Sequence, residues 1–284
     1  MQNFLHAPLP QLIRRTGERL YIRPHPLLQP HIAHYTLSYA VEENGPETLC
    51  LVPDASGCLV FTFGESRTKG MFWGPTTKMV EVTNDLDKRM RFFVEFLPCG
   101  AHRFTGIPQR ELTDVRMDIG SIPSFSQLTE IAEQTEDLQR LVERMDRFFL
   151  RLLERRTQGG LPILLLPELQ RWNGTLPVKA LSEESCYSER HLNRLFRESL
   201  GMGVKTYSRL LRINEALREM QAGGVSLTEI AHRLRYYDQA HFIRDFKMIC
   251  GVTPSAYMRR MNAFYYESYK FPAAGESEKQ GVSR

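Results

Sequence analysis

The sequence predicts an α+β protein with a β-rich, barrel-like N-terminal domain and an all-α C-terminal domain. Up to about residue 125, short segments rich in Val, Phe, Tyr and Leu alternate with Pro, Gly, Asn and Asp. Beyond residue 135 the apolar residues follow a helical period, and residues 176–259 contain a repeat at an offset of 50. The predicted organisation is a β-rich domain over 1–126, a helical linker over 127–160, a helical domain over 161–264, and a disordered tail over 265–284.

The composition is that of an ordinary folded protein, with 42% apolar and 25% charged residues in a chain of 284. Its five cysteines are odd in number and contain no Cys-x-x-Cys pair, which argues against a disulfide framework and favours a reducing compartment. Residues 1–20 lack the apolar run of a signal peptide, and the apolar stretch 161–167 is too short to span a bilayer. We therefore expect a cytoplasmic protein with no membrane partner.

Five segments of the N-terminal region read as strands: Tyr35–Val41, Leu49–Val52, Leu59–Phe63, Met79–Val82 and Phe92–Phe96. Many short strands separated by turn residues are typical of a barrel or a sandwich. A small barrel either holds a small molecule or is filled by its own side chains. The sequence leaves both interpretations open, and any effector stays unidentified.

An amphipathic helix is predicted over Thr135–Arg156. Its apolar residues follow steps of three and four: Leu138, Leu141, Met145, Phe148 and Leu152. Such a stripe packs against its own domain or against a second copy, so a homodimer through these five residues is one of two interpretations. The sequence 158–160, Gln-Gly-Gly, ends the helix and marks a hinge.

The C-terminal repeat matches residues of the same type in one register. The pairs include His191 with His241, Arg194 with Arg244, Phe196 with Phe246, Gly201 with Gly251, and Tyr207 with Tyr257. Each copy reads as a helix, a short turn and a second helix that is capped at its start and ended by Gly. Ser188 and Asp238 are the predicted caps of the two second helices, and Ser226 with Glu229 form a capping-box pattern. A long helix over Val204–Gln221 is predicted between the copies.

The second helix of each copy presents polar and basic residues outward, which is the chemistry of major-groove recognition. Arg reaches guanine O6 and N7 with two hydrogen bonds, and Asn or Gln do the same on adenine. A rigid connecting helix would hold two such helices about one DNA turn, near 34 Å, apart. Charge is consistent with this: residues 161–284 hold 18 Lys and Arg against 13 Asp and Glu, whereas residues 1–160 hold 19 against 20.

These residues resemble the AraC/XylS family of bacterial transcription regulators, in the stretches 188–197, 201–216, 230–231, 238–247 and 251–257. The resemblance implies two helix-turn-helix units that bind promoter DNA, with RNA polymerase as a further partner. It places the base-reading positions on Arg190, Asn193, Arg194, Gln239, Ala240, Ile243 and Arg244. The phosphate-contacting candidates are Ser188, Arg197 and Lys247. Ala240 and Ile243 offer only apolar contacts, for example to a thymine methyl group.

The sequence departs from the family pattern in its two turns and in the first helix of the first copy. Cys186 and Arg235 stand where the family has Gly in each turn, which predicts a left-handed backbone or a shifted turn. Ser182 and Ser185 stand where small or apolar core residues are usual. The stretch 92–114 is similar, more loosely, to a sensor-like domain that precedes this module in some members, which implies a regulatory function for residues 1–126.

Other chemistries have little support in the sequence. His31 and His34 are three apart in a predicted strand and so point to opposite faces, which argues against a metal site that they would share with His102. Cys99 has no base that the sequence places beside it. We therefore predict no catalytic residues, no metal and no cofactor. An enzyme that carries the helix-turn-helix module, or a small-molecule sensor that has lost DNA binding, are the competing classes.

Overall fold

The computed structural model describes residues 11–16, 19–39, 48–64, 67–83, 90–135, 137–155, 162–261 and 264–265. The chain forms two compact units: residues 1–45, 56–75 and 85–159 make the first, and residues 46–55, 76–84 and 160–284 make the second. The first is built on a β-sheet and the second is mainly helical, which confirms the predicted mixed class. The predicted hinge at 158–160 lies outside the described residues, and so does the predicted tail apart from residue 265.

The strands are short, as the turn-rich sequence predicts. In chain order they are β1 (Leu12–Arg15), β2 (Arg19–Ile22), β3 (Ile32–Ser38), β4 (Thr48–Leu51), β5 (Cys58–Phe63), β6 (Thr68–Trp73), β7 (Val80–Thr83), β8 (Arg91–Phe96), β9 (Arg116–Asp118) and β10 (Phe264–Tyr265). Seven of them form one sheet in the order β1-β2-β3-β8-β5-β6-β9. No pairing between its edge strands β1 and β9 occurs within the described ranges, so these strands form an open sheet rather than a closed barrel.

The helices are α1 (Gly100–Thr105), α2 (Leu128–Glu133), α3 (Leu138–Glu154), α4 (Pro162–Arg171), α5 (Val178–Ser185), α6 (Glu189–Leu200), α7 (Val204–Ala222), α8 (Leu227–Arg233), α9 (Gln239–Cys250) and α10 (Pro254–Arg259). Helices α3 and α5 to α9 follow predicted helical segments closely, whereas α1, α2, α4 and α10 were not predicted as separate helices. Among the residues that the structure describes, no helix is both long enough and apolar enough to cross a membrane.

Helix α3 packs in the core of the first unit. Its Phe149 ring lies 4.8 Å, centroid to centroid, from Phe104 and 6.2 Å from Phe96. The predicted dimer face is covered by the same unit: Leu138, Leu141 and Met145 have no exposed area, Phe148 is buried, and Leu152 packs half-buried against them. Of the two interpretations of this face, packing against its own unit is the one that the structure has, because the chain's own sheet and helices bury these residues, and a homodimer through the face is not shown.

A buried carboxylate also holds α3 in place. Asp146 accepts hydrogen bonds from the Tyr35 hydroxyl at 2.8 Å and from the His25 backbone N–H at 3.1 Å. Burial raises the pKa of this carboxyl, and these hydrogen bonds partly oppose that shift. The contacts join α3 to β3 and to the segment before it.

Two of the predicted N-terminal strands belong to the second unit. β4 pairs with β7 in antiparallel fashion and with β10 in parallel fashion. The Met79 N–H, just before β7, donates to the Ile249 carbonyl near the end of α9 at 2.8 Å. A strand pattern shows that a segment is extended but not which sheet it joins, so the predicted boundary at residue 126 did not anticipate this arrangement.

Candidate nucleic-acid interface

The first helix pair consists of α5 and α6. Ser188 caps α6, since its Oγ accepts from the His191 N–H at 3.3 Å. Gly201 ends α6 with a φ of 84°, a left-handed conformation that glycine adopts at little cost. Ser182 and Ser185, which depart from the family pattern, donate their hydroxyls to the carbonyls of Tyr187 and Leu181. Hydrogen bonds therefore replace apolar packing at these positions of α5.

The second pair, α8 and α9, has the same plan with stronger caps. The predicted capping box is present, with the Ser226 and Glu229 side chains each bonded to the other's backbone N–H. The Asp238 carboxylate caps α9 by accepting from the His241 N–H at 2.6 Å. Gly251 ends α9 with a φ of 70°.

The left-handed turns that the sequence predicts are both present. Cys186 has a φ of 57° and Arg235 a φ of 56°. The two turns differ in length. Residues 186–187 lie between α5 and Ser188, the cap of α6, whereas residues 234–237 lie between α8 and Asp238, the cap of α9. A non-glycine residue in this conformation costs roughly 1–2 kcal/mol, so each turn stores local strain.

The connecting helix α7 packs against both pairs. It has 19 residues, one more than predicted, and a rise of 1.5 Å per residue makes it about 28 Å long. Buried Tyr207, on α7, accepts from Gln170 at 3.2 Å, and buried Tyr257, on α10, accepts from Gln221 at 3.0 Å. The two tyrosines are 50 residues apart and their glutamine partners 51 apart, so these contacts follow the repeat to within one residue.

The arginine and lysine side chains of the predicted interface point to solvent. On α6 and its cap the exposed residues are Ser188, Arg190, Arg194 and Arg197; on α9 they are Gln239, Ala240, Arg244 and Lys247. Ile243 is half-buried. Their phosphate-contacting and base-reading roles stay predictions. Gln239 already accepts a hydrogen bond from the Thr228 hydroxyl at 3.1 Å, which fixes the orientation of its amide.

Asn193 differs from the other predicted base-reading residues because both the oxygen and the nitrogen of its amide are engaged within the chain. Its Oδ1 accepts from the Val204 N–H at 3.2 Å, and its Nδ2 donates to the Glu189 carbonyl at 2.9 Å. Reading adenine with both amide groups would require Asn193 to give up both bonds. The structure therefore gives this residue a role in starting α7 that the sequence did not reveal.

A buried ionic cluster next to the interface was missed at the level of sequence. Asp245, on the inner face of α9, is 4% exposed, and its Oδ2 lies 3.1 Å from Arg209 Nε and 3.9 Å from Arg212 Nη2. Both arginines belong to α7. A signal was available, since Asp245 falls between the core residues Phe242, Phe246 and Ile249 on the apolar face of the helix.

The residues considered for other chemistries make ordinary structural contacts. His34 Nδ1 and Thr36 Oγ1 lie 2.9 Å apart, and His102 Nδ1 lies 3.0 Å from the Ile107 carbonyl oxygen. Burial raises the pKa of the Cys99 thiol, which disfavours the reactive thiolate. Within the described ranges, no group of three His, Cys, Asp or Glu side chains is placed to hold a metal ion.

Two family models match the chain. One is described as a helix-turn-helix domain and matches residues 181–260, which include both pairs and α7. The other is described as a domain of unknown function, DUF6597, and matches residues 20–118 of the N-terminal region.

Similar curated proteins match in the helical region. The HTH-type transcriptional activator AarP of Providencia stuartii is 34% identical over 82 residues, which cover 29% of this chain and 61% of AarP. The probable transcription factor PqrA of Proteus vulgaris is 32% identical over 90 residues, covering 32% of this chain and 73% of PqrA. The HTH-type transcriptional regulator GlxA of Rhizobium meliloti is 37% identical over 81 residues, covering 28% of this chain and 25% of GlxA. The chain therefore spans less than two thirds of AarP and of GlxA.

Among solved structures, ToxT from Vibrio cholerae aligns with 79% of this chain and 98% of its own, at 12% identity and a TM-score of 0.40. The C-terminal domain of AraT from Geobacillus stearothermophilus aligns with 36% of this chain and 88% of its own, at 21% identity and a TM-score of 0.32.

Proposed function

Because this chain belongs to the AraC/XylS family of transcriptional regulators, we propose that it binds promoter DNA in a sequence-specific manner and regulates transcription. In this proposal α6 and α9 enter successive major grooves on one face of a duplex. The observation that carries the proposal is the duplicated helix pair with an exposed basic row on each second helix, 50 residues apart in sequence.

The exposed arginines are the proposed base readers. Arg190 and Arg194 on α6, and Arg244 on α9, have guanidinium groups at the surface and can donate two parallel hydrogen bonds to guanine. Gln239 contributes from the start of α9, and Ala240 and Ile243 contribute apolar contacts. Each good bidentate pair supplies roughly 1–3 kcal/mol of discrimination between bases.

The cap of α6 and the last turns of α6 and α9 are the proposed contacts to the DNA backbone. Ser188 lies at the start of α6, where the helix dipole favours the negative charge of a phosphate. Arg197 and Lys247, each three residues beyond the last base reader of its helix, supply positive charge to the phosphates. Phosphate contacts fix the register of the protein but carry no base preference.

The remaining features of the proposal concern control. Residues 1–126 are proposed to sense a signal, such as a small-molecule effector, and RNA polymerase is the proposed partner at the promoter. The site of action is then the cytoplasm, and the protein acts as a regulator rather than an enzyme. Residues 161–264 are the proposed DNA-binding domain, to which strands β4 and β7 attach.

A selection from a pool of duplexes with randomised sequence tests the proposal. The purified full chain is mixed with the pool, bound duplexes are recovered through several rounds, and the recovered DNA is sequenced. We expect a motif with two conserved blocks whose centres lie about 10 base pairs apart, one for each recognition helix. Recovery of unenriched sequence, at a salt concentration where other DNA-binding proteins retain specificity, would contradict the proposed function.

A further inference from the structure

The second helix pair contains an ion network for which the first pair has no counterpart. Asp245 is buried on α9, and its carboxylate lies beside two arginines of α7. His241 Nε2, one turn earlier on α9, lies 4.0 Å from the same oxygen. At the equivalent position of the first pair, 50 residues earlier, stands Leu195, which is half-buried and apolar.

Burying a carboxylate is costly unless partners replace its lost hydration, so the geometry of those partners is constrained. Arg209 donates its Nε–H to Asp245 Oδ2 at 3.1 Å while its side chain keeps partial access to solvent. Arg212 is more enclosed, and its guanidinium carbon also lies 4.5 Å from the centre of the Tyr236 ring. Tyr236 belongs to the turn between α8 and α9, so Arg212 touches both the turn and the recognition helix.

Charged hydrogen bonds depend strongly on direction, whereas apolar side chains pack in several orientations. A network that joins α7 to the inner face of α9 therefore restricts how far α9 can rotate about its own axis. Arg244, a proposed base reader, immediately precedes Asp245 on α9, about 100° away around the helix axis, and is exposed. A rotation of α9 would carry Arg244 and Gln239 out of register with the base edges.

We propose that Asp245, with Arg209 and Arg212, is a positioning network that sets the orientation of α9 on α7 and thereby the base preference and half-site spacing of the second unit. This inference rests on the proposed function, because it concerns how the same interface reads DNA. It assigns no DNA contact to Asp245 itself.

The test compares variants of the full chain in the randomised-duplex selection. Asp245→Asn keeps the shape of the side chain and removes its charge. We expect its selected motif to keep the half-site read by α6, to lose base preference in the half-site read by α9, and to tolerate a wider range of spacings. The two half-sites are identified in parallel by Arg194→Ala and Arg244→Ala. Affinity for the parent's selected site should fall about tenfold, and affinity for random duplex should change less than twofold.

The connecting helix α7 also makes an ion pair with α8, which serves as a matched control. Arg233 of α8 lies 3.3 Å from Glu219 of α7, so Arg233→Met breaks an ion pair that does not involve α9. This variant is expected to select the parent's motif and spacing. Thermal unfolding of each variant measures its stability. A purely structural loss would lower the affinity for all sequences alike and leave the selected motif unchanged, whereas a loss of positioning changes the motif.

A second variant covers the case in which Asp245→Asn fails to fold. The triple change Asp245→Leu, Arg209→Met and Arg212→Met replaces the network with apolar contacts of the kind that Leu195 makes, and such replacements of buried ion pairs are often tolerated. It should fold and still show a relaxed second half-site. A folded variant that selects the parent's motif at the parent's spacing overturns the inference, whereas a parent chain that enriches no motif overturns the proposed function instead.

Discussion

The helices that follow the two helix-turn-helix units, α7 and α10, are capped at their starts in different ways. After α6, helix α7 starts at Val204 behind Gly203, which has no side chain to act as a cap, and the Asn193 amide accepts the Val204 N–H instead. After α9, helix α10 starts at Pro254 behind Thr253, whose own hydroxyl accepts from the Ala256 N–H at 3.3 Å. Each pair of equivalent residues is separated by 50 positions.

This difference has a simple physical origin. Val204 has a backbone N–H that needs an acceptor, whereas Pro254 has none, so the second unit requires no amide at the position of Asn193. Ile243 occupies that position on α9. A Cβ at Gly203 would lie 2.7 Å from Asn193 Oδ1. With Asn193 in place, the first helix-turn-helix unit therefore has no room for a capping side chain at the position that Thr253 occupies in the second. The contrast between Asn193 and Ile243 therefore reflects how each unit closes, and not only which bases each unit reads.

The largest effect is expected in the hydrophobic cores of the two helix-turn-helix units, which bury the same residue type at equivalent positions. Phe196 and Phe246 are both fully buried at equivalent positions. Phe196→Ala and Phe246→Ala should each lower the free energy of unfolding of the second compact unit by roughly 3–5 kcal/mol, through lost burial and the cavity left behind. Denaturant titrations followed by circular dichroism measure this. A loss under about 1 kcal/mol at only one site would show that the two cores are not equivalent.

The next effect concerns Asn193. Asn193→Ile should cost about 1–3 kcal/mol, because the buried Val204 N–H loses its acceptor. Adding Gly203→Thr and Val204→Pro gives α7 the threonine cap and the first-position proline of α10, and should recover most of this lost stability. Arg190→Ala, at an exposed site on the same helix, is the control and should change stability by less than about 0.5 kcal/mol. A triple variant no more stable than Asn193→Ile would contradict this explanation.

The caps should differ by a smaller amount. Ser188→Ala and Asp238→Ala each remove a side-chain acceptor at a helix start and should cost about 1 kcal/mol. Asp238→Ala should be the more costly because a carboxylate also interacts with the helix dipole. The gap between the two variants should narrow in 1 M salt, which screens that interaction. A gap that is independent of salt would remove the electrostatic explanation.

The smallest effect is expected at the left-handed turns. Cys186→Gly and Arg235→Gly relieve roughly 1–2 kcal/mol of backbone strain and add back about 0.5–1 kcal/mol of chain entropy. The Arg235 guanidinium carbon lies 6.0 Å from the centre of the Trp172 ring, so Arg235→Gly also loses a weak contact. Cys186→Gly should therefore raise the unfolding temperature more. Destabilisation by both variants would show that these turns are not strained.

The features that sequence predicted best are those whose physical cause is local. Caps at Ser188 and Asp238, the capping box at Ser226 and Glu229, and the stop at Gly251 depend on residues within one turn of each other. The left-handed turns also follow from the residues that stand there. The strand pattern predicted the β-rich first unit, although it did not pick out its strands β1, β2, β6 and β9.

The features that sequence missed depend on contacts between distant segments. Asn193 has the residue type of a base reader, and only its contact with Val204, 11 residues away, shows its other role. The partners of Asp245 lie 33 and 36 residues earlier, on another helix. The amphipathic pattern of α3 predicted an apolar face correctly, but it did not distinguish burial within the unit from contact with a second copy.

If α6 and α9 read adjacent grooves, the base preferences of the two half-sites can be removed separately. Binding of the parent chain, Arg194→Ala and Arg244→Ala is measured against every single-base substitution of the selected duplex. We expect each variant to lose roughly 1–3 kcal/mol of discrimination at one base pair, in opposite half-sites, and to keep its preferences elsewhere. Unchanged preferences in both variants, or a loss at the same base pair, would contradict two recognition helices that read adjacent grooves.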